Sequence, residues 1–135
     1  MKVVKPFDNN IYFKYTLFLA GTTTPAWREV VKEALKDHDI IIYDPISPNY
    51  EEGQNALWEK RAIANSDLII FYFGGISEAP LTLFELGYSL GKGKEMIIFV
   101  SPEYKHKDYI FAVTRNIPKF TDFVKFIEFI KREVK

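Results

Sequence analysis

No cysteine occurs among the 135 residues, which removes a disulfide framework, a thiolate metal site and a cysteine nucleophile. Net charge is missing too. Eighteen basic and eighteen acidic residues cancel, so no global field draws the chain onto nucleic acid or an acidic membrane surface. A small neutral or modestly charged ligand suits such a protein better than a polymer. No apolar run approaches the roughly 18 residues of a membrane span. The start, Met1-Lys2-Val3-Val4-Lys5-Pro6, lacks the apolar core and small-residue cleavage site of a secretory signal. A soluble, cytoplasmic protein is expected. The two histidines, His38 and His106, stand apart without ligand spacing, so no metal site is expected. The Walker and dinucleotide glycine patterns are absent, as are repeats, low-complexity tracts and linkers.

What is present is apolar and aromatic. Hydrophobic residues make up 47% of the chain and aromatics 16%, ample for one well-buried core, and residues 1–135 read as a single domain. Residues 1–12, with a turn at Asp8-Asn9-Asn10, read as an N-terminal arm or an extra edge segment. Four nearly all-apolar runs follow: Tyr15 to Ala20, Ile40 to Tyr43, Leu68 to Phe73 and Met96 to Val100. They alternate with segments of helical spacing, the pattern of an α/β fold whose parallel strands are covered on both faces.

The first helix is expected over Pro25 to Asp37, with Thr24 as cap and Pro25 at the first helical position. Trp27, Val30, Val31, Ala34 and Leu35 form its apolar face, and Arg28, Glu29, Lys32, Glu33 and Lys36 its solvated one. Further helices are expected over Asn55 to Ala64, Leu83 to Leu90 and Thr121 to Val134. The last carries a core stripe of Phe120, Phe123, Val124, Ile127, Ile130 and Val134. Phe126 and Phe129 widen that stripe, either as a broad core face or as a subunit interface. A short strand is expected around Tyr109 to Val113.

The transitions at Gly21, Asp44, Gly74 and Ser101 then fall at the carboxyl edge of the sheet, where ligands bind in open α/β folds. Gly21-Thr22-Thr23-Thr24 offers hydroxyls and N–H groups at a helix start, suited to a phosphate. The plainer reading is a turn and a cap. Asp44, followed by Pro45, could hydrogen-bond a sugar hydroxyl or simply cap its turn, and Tyr50 could stack on a ring. Glu59, beside Trp58, belongs by spacing to a solvated face but begins near the crevice. In Gly74-Gly75-Ile76-Ser77-Glu78-Ala79-Pro80-Leu81-Thr82-Leu83-Phe84-Glu85, Thr82 and Glu85 have the spacing of a capping box, in which the carboxylate would only satisfy its own backbone. The competing reading makes Glu85 a reacting group on the first turn of a helix.

Taken together and in order, Leu19-Ala20-Gly21, Asp44-Pro45, Trp58-Glu59, Ser66-Asp67-Leu68-Ile69-Ile70 and Glu85-Leu86-Gly87 resemble the nucleoside 2-deoxyribosyltransferase-like family over roughly Thr16 to Tyr104. The resemblance implies a flavodoxin-like three-layer sandwich with a central parallel sheet of four to five strands. It also implies a nucleoside or nucleotide substrate, no cofactor, and a homodimer or larger homo-oligomer whose neighbouring subunit closes the pocket. Glu85 matches the family nucleophile, which attacks the anomeric carbon of a deoxynucleoside or deoxynucleoside 5′-monophosphate and forms a glycosyl-enzyme ester. On that reading a helix N-terminus keeps Glu85 ionised. Asp44 and Glu59 are the second-tier catalytic candidates. Gly21, Thr22, Thr23, Pro45, Tyr50, Trp58, Gly74, Gly75, Glu78 and Thr82 are the candidate substrate contacts. Phe18 stands where family members carry a tyrosine. Gly74, Gly75 and Glu78 occupy the loop in which they carry an aspartate, so Asp44, Glu59 or Glu78 would have to move the proton. A non-catalytic nucleotide-binding module or sensor is the alternative. A flavin protein is disfavoured, because Trp27 belongs to the helix face and no second aromatic flank can be placed.

Overall fold

The computed structural model describes residues 1–6, 14–23, 26–46, 52–75 and 78–134. Six strands form one all-parallel sheet: β1 (Lys2–Val4), β2 (Thr16–Gly21), β3 (Ile41–Tyr43), β4 (Leu68–Phe73), β5 (Glu95–Val100) and β6 (Lys119–Phe120). Their order is β1-β3-β2-β4-β5-β6. The four apolar runs are the four inner strands, and the fold is the expected flavodoxin-like one. The sheet is wider than the four to five strands expected, because β1, inside the predicted arm, and the two-residue β6 extend its edges. Both are too short to show a period of two in sequence.

Five helices cover the sheet: α1 (Trp27–Ala34), α2 (Glu52–Asn65), α3 (Pro80–Gly91), α4 (Lys107–Val113) and α5 (Phe123–Glu133). Strand side chains alternate between two cores. Leu17, Leu19, Ile70, Tyr72, Ile97 and Phe99 meet Trp27 and Val31 of α1, Leu35 just after it, and Phe126 and Ile130 of α5. Phe18, Ala20, Ile69, Phe71, Phe73, Ile98 and Val100 meet Ala62 and Ile63 of α2, Leu86 of α3 and Ile110 of α4. This period-two division of continuous apolar strands is what a sheet buried on both faces requires.

Several expectations are corrected. Tyr109 to Val113 is helical, because the buried positions are Ile110 and Thr114, one helical turn apart. Phe120 lies on β6, Val124 is 65% exposed, and Phe126 takes the centre of the α5 face. Phe129 packs beside Phe120, so the extra aromatics of α5 belong to a broad core. Leu57 and Val30 point outward despite their apolar spacing. The expected cap of α1 at Thr24 and Pro25 lies outside the described residues. Among the described residues no helix is long and apolar enough to cross a membrane.

A carboxylate pair in a hollow between two helices

The chain reverses direction across the sheet between β2 and its neighbour β4, and this switch point is where open α/β folds leave a crevice at the carboxyl ends of the strands. Gly21 ends β2 there because nothing larger fits. A Cβ on it would lie 2.5 Å from the Tyr72 carbonyl oxygen and 2.8 Å from the Trp27 ring. Gly74, which follows β4, would bring a Cβ within 2.2 Å of the Tyr72 ring.

Around Gly21 the polar groups are already engaged. The Thr22 amide donates to the Tyr72 carbonyl at 3.4 Å, and the Thr22 carbonyl accepts from Trp27 Nε1 at 2.9 Å and Arg28 Nη1 at 2.8 Å. Thr22 is buried, while Thr23 is exposed. Asp44 is the hub of an ion network. Its carboxylate is 2% exposed and takes Lys5 Nζ at 2.5 Å, Lys32 Nζ at 2.6 Å and the Ile46 amide at 3.0 Å, with Arg28 Nε 3.6 Å away. Despite the cost of burial, the Lys32 and Lys5 contacts hold it below the usual carboxylate range.

α3 begins three residues earlier than its spacing suggests. Pro80 suits the first helical turn, where a missing N–H costs nothing. Ala79 before it adopts φ 51°, in the left-handed region, and supplies no side-chain cap. Thr82 is therefore inside the helix and buried, no capping box forms, and Glu85 sits in the second turn rather than the first. The expectation that helix N–H groups keep Glu85 ionised is overturned. Its pKa is raised from 4.5 to about 8, chiefly by burial and then by the negative charge of Glu59. The positive charge of Arg28 opposes this, and a hydrogen bond with Glu59 adds to it. Glu85 Oε2 is closed to solvent and has no hydrogen-bond partner among the described residues. A neutral carboxyl hydrogen-bonded to its neighbour is what such a site favours.

Glu59 and Glu85 both line a hollow of about 270 Å³ between α2 and α3. Gly53, Ala56, Lys60 and Ile63 complete the α2 wall, and Leu81, Phe84 and Tyr88 the α3 wall. It is mostly apolar with a few polar groups, the usual make-up of a small-molecule site. Of the candidate residues among those described, only these two carboxyls line it. Trp58 is half-buried, wedged against Phe18 at 6.4 Å and Tyr43 at 6.0 Å. Pro45 is buried, Gly75 is exposed, and Glu78 pairs with Lys105 at 2.6 Å away from the hollow. Tyr50 lies outside the described residues. Arg28 was missed altogether: its spacing assigned it to a solvated face, yet it is 6% exposed. Its adjacency to a core tryptophan in the first turn after a strand was the available signal. No group of three or more potential metal ligands forms among the described residues.

Comparison with known proteins matches this architecture. No curated protein matches the sequence. Among solved structures, a 2-deoxyribosyltransferase from Leishmania mexicana superimposes with a TM-score of 0.69 at 18% identity, covering 90% of this chain and 99% of that one. A CMP N-glycosidase from Clostridium botulinum gives 0.62 at 15% identity, covering 88% and 99%. A 2-deoxyribosyltransferase from Bacillus psychrosaccharolyticus gives 0.59 at 17% identity, covering 82% and 88%. At these identities the likeness speaks for the fold. The family description "nucleoside 2-deoxyribosyltransferase like" matches residues 14–104, well over half of the chain. The chain belongs to the nucleoside 2-deoxyribosyltransferase-like family.

Proposed function

We propose that the protein cleaves or transfers at the N-glycosidic bond of a deoxynucleoside or deoxynucleoside 5′-monophosphate, with Glu85 as nucleophile. The observation that carries this reading is the Glu59–Glu85 pair on the wall of the hollow. Two carboxyls held this closely share one proton. With that proton on Glu59, Glu85 is the anion that attacks the anomeric carbon. The C–N bond breaks, its electron pair leaves with the base, and Glu59 passes its proton to the base nitrogen. Glu59, now a carboxylate, next takes a proton from water or from an incoming base as either displaces the sugar from Glu85. Water gives hydrolysis and a base gives transfer, the two-step logic of retaining glycosidases. Glu59 thereby fills the role of the aspartate that the loop before α3 lacks. Asp44 orients the site through its cations instead of moving protons.

The basic groups around Asp44 outnumber its single carboxylate, which favours a 5′-phosphate near Thr23. Incubation with a panel of deoxynucleosides and their monophosphates, followed by chromatography for free base, tests the reading. Release that disappears in Glu85→Ala supports it. The proton on Glu85 near neutrality also favours a second reading, a nucleotide-binding module in which a neutral carboxyl donates to its ligand. Ligand-induced thermal stabilisation without base release would select that one.

The working state is proposed to be a homodimer. Leu57, Leu81, Phe84, Tyr109, Phe111 and Val113 are exposed by 38% to 67% along α2, α3 and α4. An apolar groove of about 420 Å³ between α3 and α4 shares Phe84 with the hollow. Phe84→Glu is expected to give a monomer by light scattering and to lower activity. A dimer that persists in this variant removes the assignment of that face.

A further inference from the structure

Arg28 is a buried cation with no obvious reason to be buried, since Asp44 already has Lys5 and Lys32 within hydrogen-bonding distance. Its guanidinium instead spends its donors on the backbone. Nη1 reaches the Thr22 carbonyl at 2.8 Å, and Nη2 reaches the carbonyls of Gly21 at 3.0 Å and Leu19 at 3.4 Å. The plane lies over the Trp27 ring, 4.6 Å from its centroid, and Trp27 Nε1 holds the same Thr22 carbonyl. The turn after β2 is tied to β4 by the long Thr22 to Tyr72 bond, and Arg28 and Trp27 hold its carbonyls from the other side. A rigid fork of five donors does this where a single ammonium cannot.

We propose that Arg28 is a positioning residue of this site: its buried, forked cation fixes the carbonyls of Leu19, Gly21 and Thr22 at the switch point and acts from there on the Glu59–Glu85 pair. The proposal rests on the reading of that pair as the reacting groups. Among the described residues, the charged and titratable groups around Glu85 are Glu59 and Lys60 of α2, Tyr88 of α3 and Arg28 of α1, with Asp44, just after β3, paired to Arg28. Burial lowers the pKa of Arg28 itself, and the charges of Asp44, Glu85 and Glu59 raise it. Its interaction with the carboxyl pair is therefore mutual. The Arg28 cation lowers the pKa of Glu85, so removing the cation lets Glu85 keep its proton to higher pH.

Two variants separate the two roles. Arg28→Met removes charge and fork together, whereas Arg28→Lys keeps a charge and loses the fork. The Glu85 carboxyl is followed by carbon NMR, assigned by its absence in Glu85→Gln, and base release is followed against pH. Arg28→Met is expected to move the Glu85 midpoint and the high-pH fall of kcat/KM upward. Arg28→Lys is expected to leave both in place and to raise KM by about 10-fold through a loosened turn. An unmoved Glu85 midpoint in Arg28→Met overturns the proposal. So does a KM in Arg28→Lys within about twofold of wild type, a comparison that carries the test alone should the methionine variant not fold. If no base is released by any form, the catalytic reading fails while the NMR titration still decides the influence of Arg28 on Glu85. If base release depends on Glu85 and neither Arg28 variant changes it, the catalytic reading stands and Arg28 is structural only.

Discussion

Glu85→Gln is expected to be more stable than the wild-type protein at pH 8 and no more stable at pH 4. The direction follows from the raised pKa. Below the unfolded value of 4.5, Glu85 is protonated in both states and contributes no pH-dependent difference. Between 4.5 and about 8 the unfolded chain ionises while the folded one keeps its proton, so each step up in pH costs stability. Above about 8 both forms are ionised and the cost is constant. The displacement corresponds to a burden on the order of 4 kcal/mol at pH 8, a large fraction of the stability of a domain this size. Glutamine keeps the shape and never ionises. Urea unfolding at the two pH values measures the difference, and an equal stability of both proteins at pH 8 would show that Glu85 is not buried in this way. The same substitution is expected to reduce base release by at least about 10³-fold, since an amide cannot form the ester. A gain in stability with a loss of activity is the expected mark of a strained reacting group.

The second large effect concerns pH and activity. With the pair still sharing a proton up to about 8, and that proton needed on Glu59 for the leaving base, kcat/KM for base release should hold up to that pH and fall above it, instead of already falling through the ordinary carboxylate range. Glu59→Gln removes the charge and the acceptor that help raise Glu85. The fall at high pH should then vanish, because Glu85 alone works as the anion, while kcat drops by about 10²-fold or more for want of a proton donor to the leaving base. Substrates whose base leaves readily without protonation should lose much less. A high-pH fall that persists in Glu59→Gln would mean that the two carboxyls do not titrate as a pair.

The inner sheet was legible because β2, β3, β4 and β5 are continuous apolar runs, and a strand covered on both faces admits nothing else. The edges were not, since three residues of β1 and two of β6 carry no period. α4 was misread because Tyr109, Phe111 and Val113 alternate as a strand would, although only Ile110 and Thr114 reach the core. Glu85 was singled out through Glu-Leu-Gly and its neighbours, but the expectation that a helix N-terminus keeps it ionised rested on an incorrect helix start. The S/T-x-x-E spacing of Thr82 and Glu85 concealed the helix-starting role of Pro80. Arg28 was assigned by helical spacing, which says nothing about a long side chain in the first turn reaching back under the end of the preceding strand. The contribution of Asp44 was equally invisible, because Lys5 and Lys32 are brought to it from 39 and 12 residues away.

The most direct measurement is a search for sugar on the protein. Wild-type protein turning over a substrate identified in the panel is quenched in acid, digested and read by mass spectrometry. The account predicts a deoxyribosyl ester on the peptide bearing Glu85, absent from Glu85→Gln. A sugar on any other residue, or base release that continues at the wild-type rate in Glu85→Gln, would contradict it.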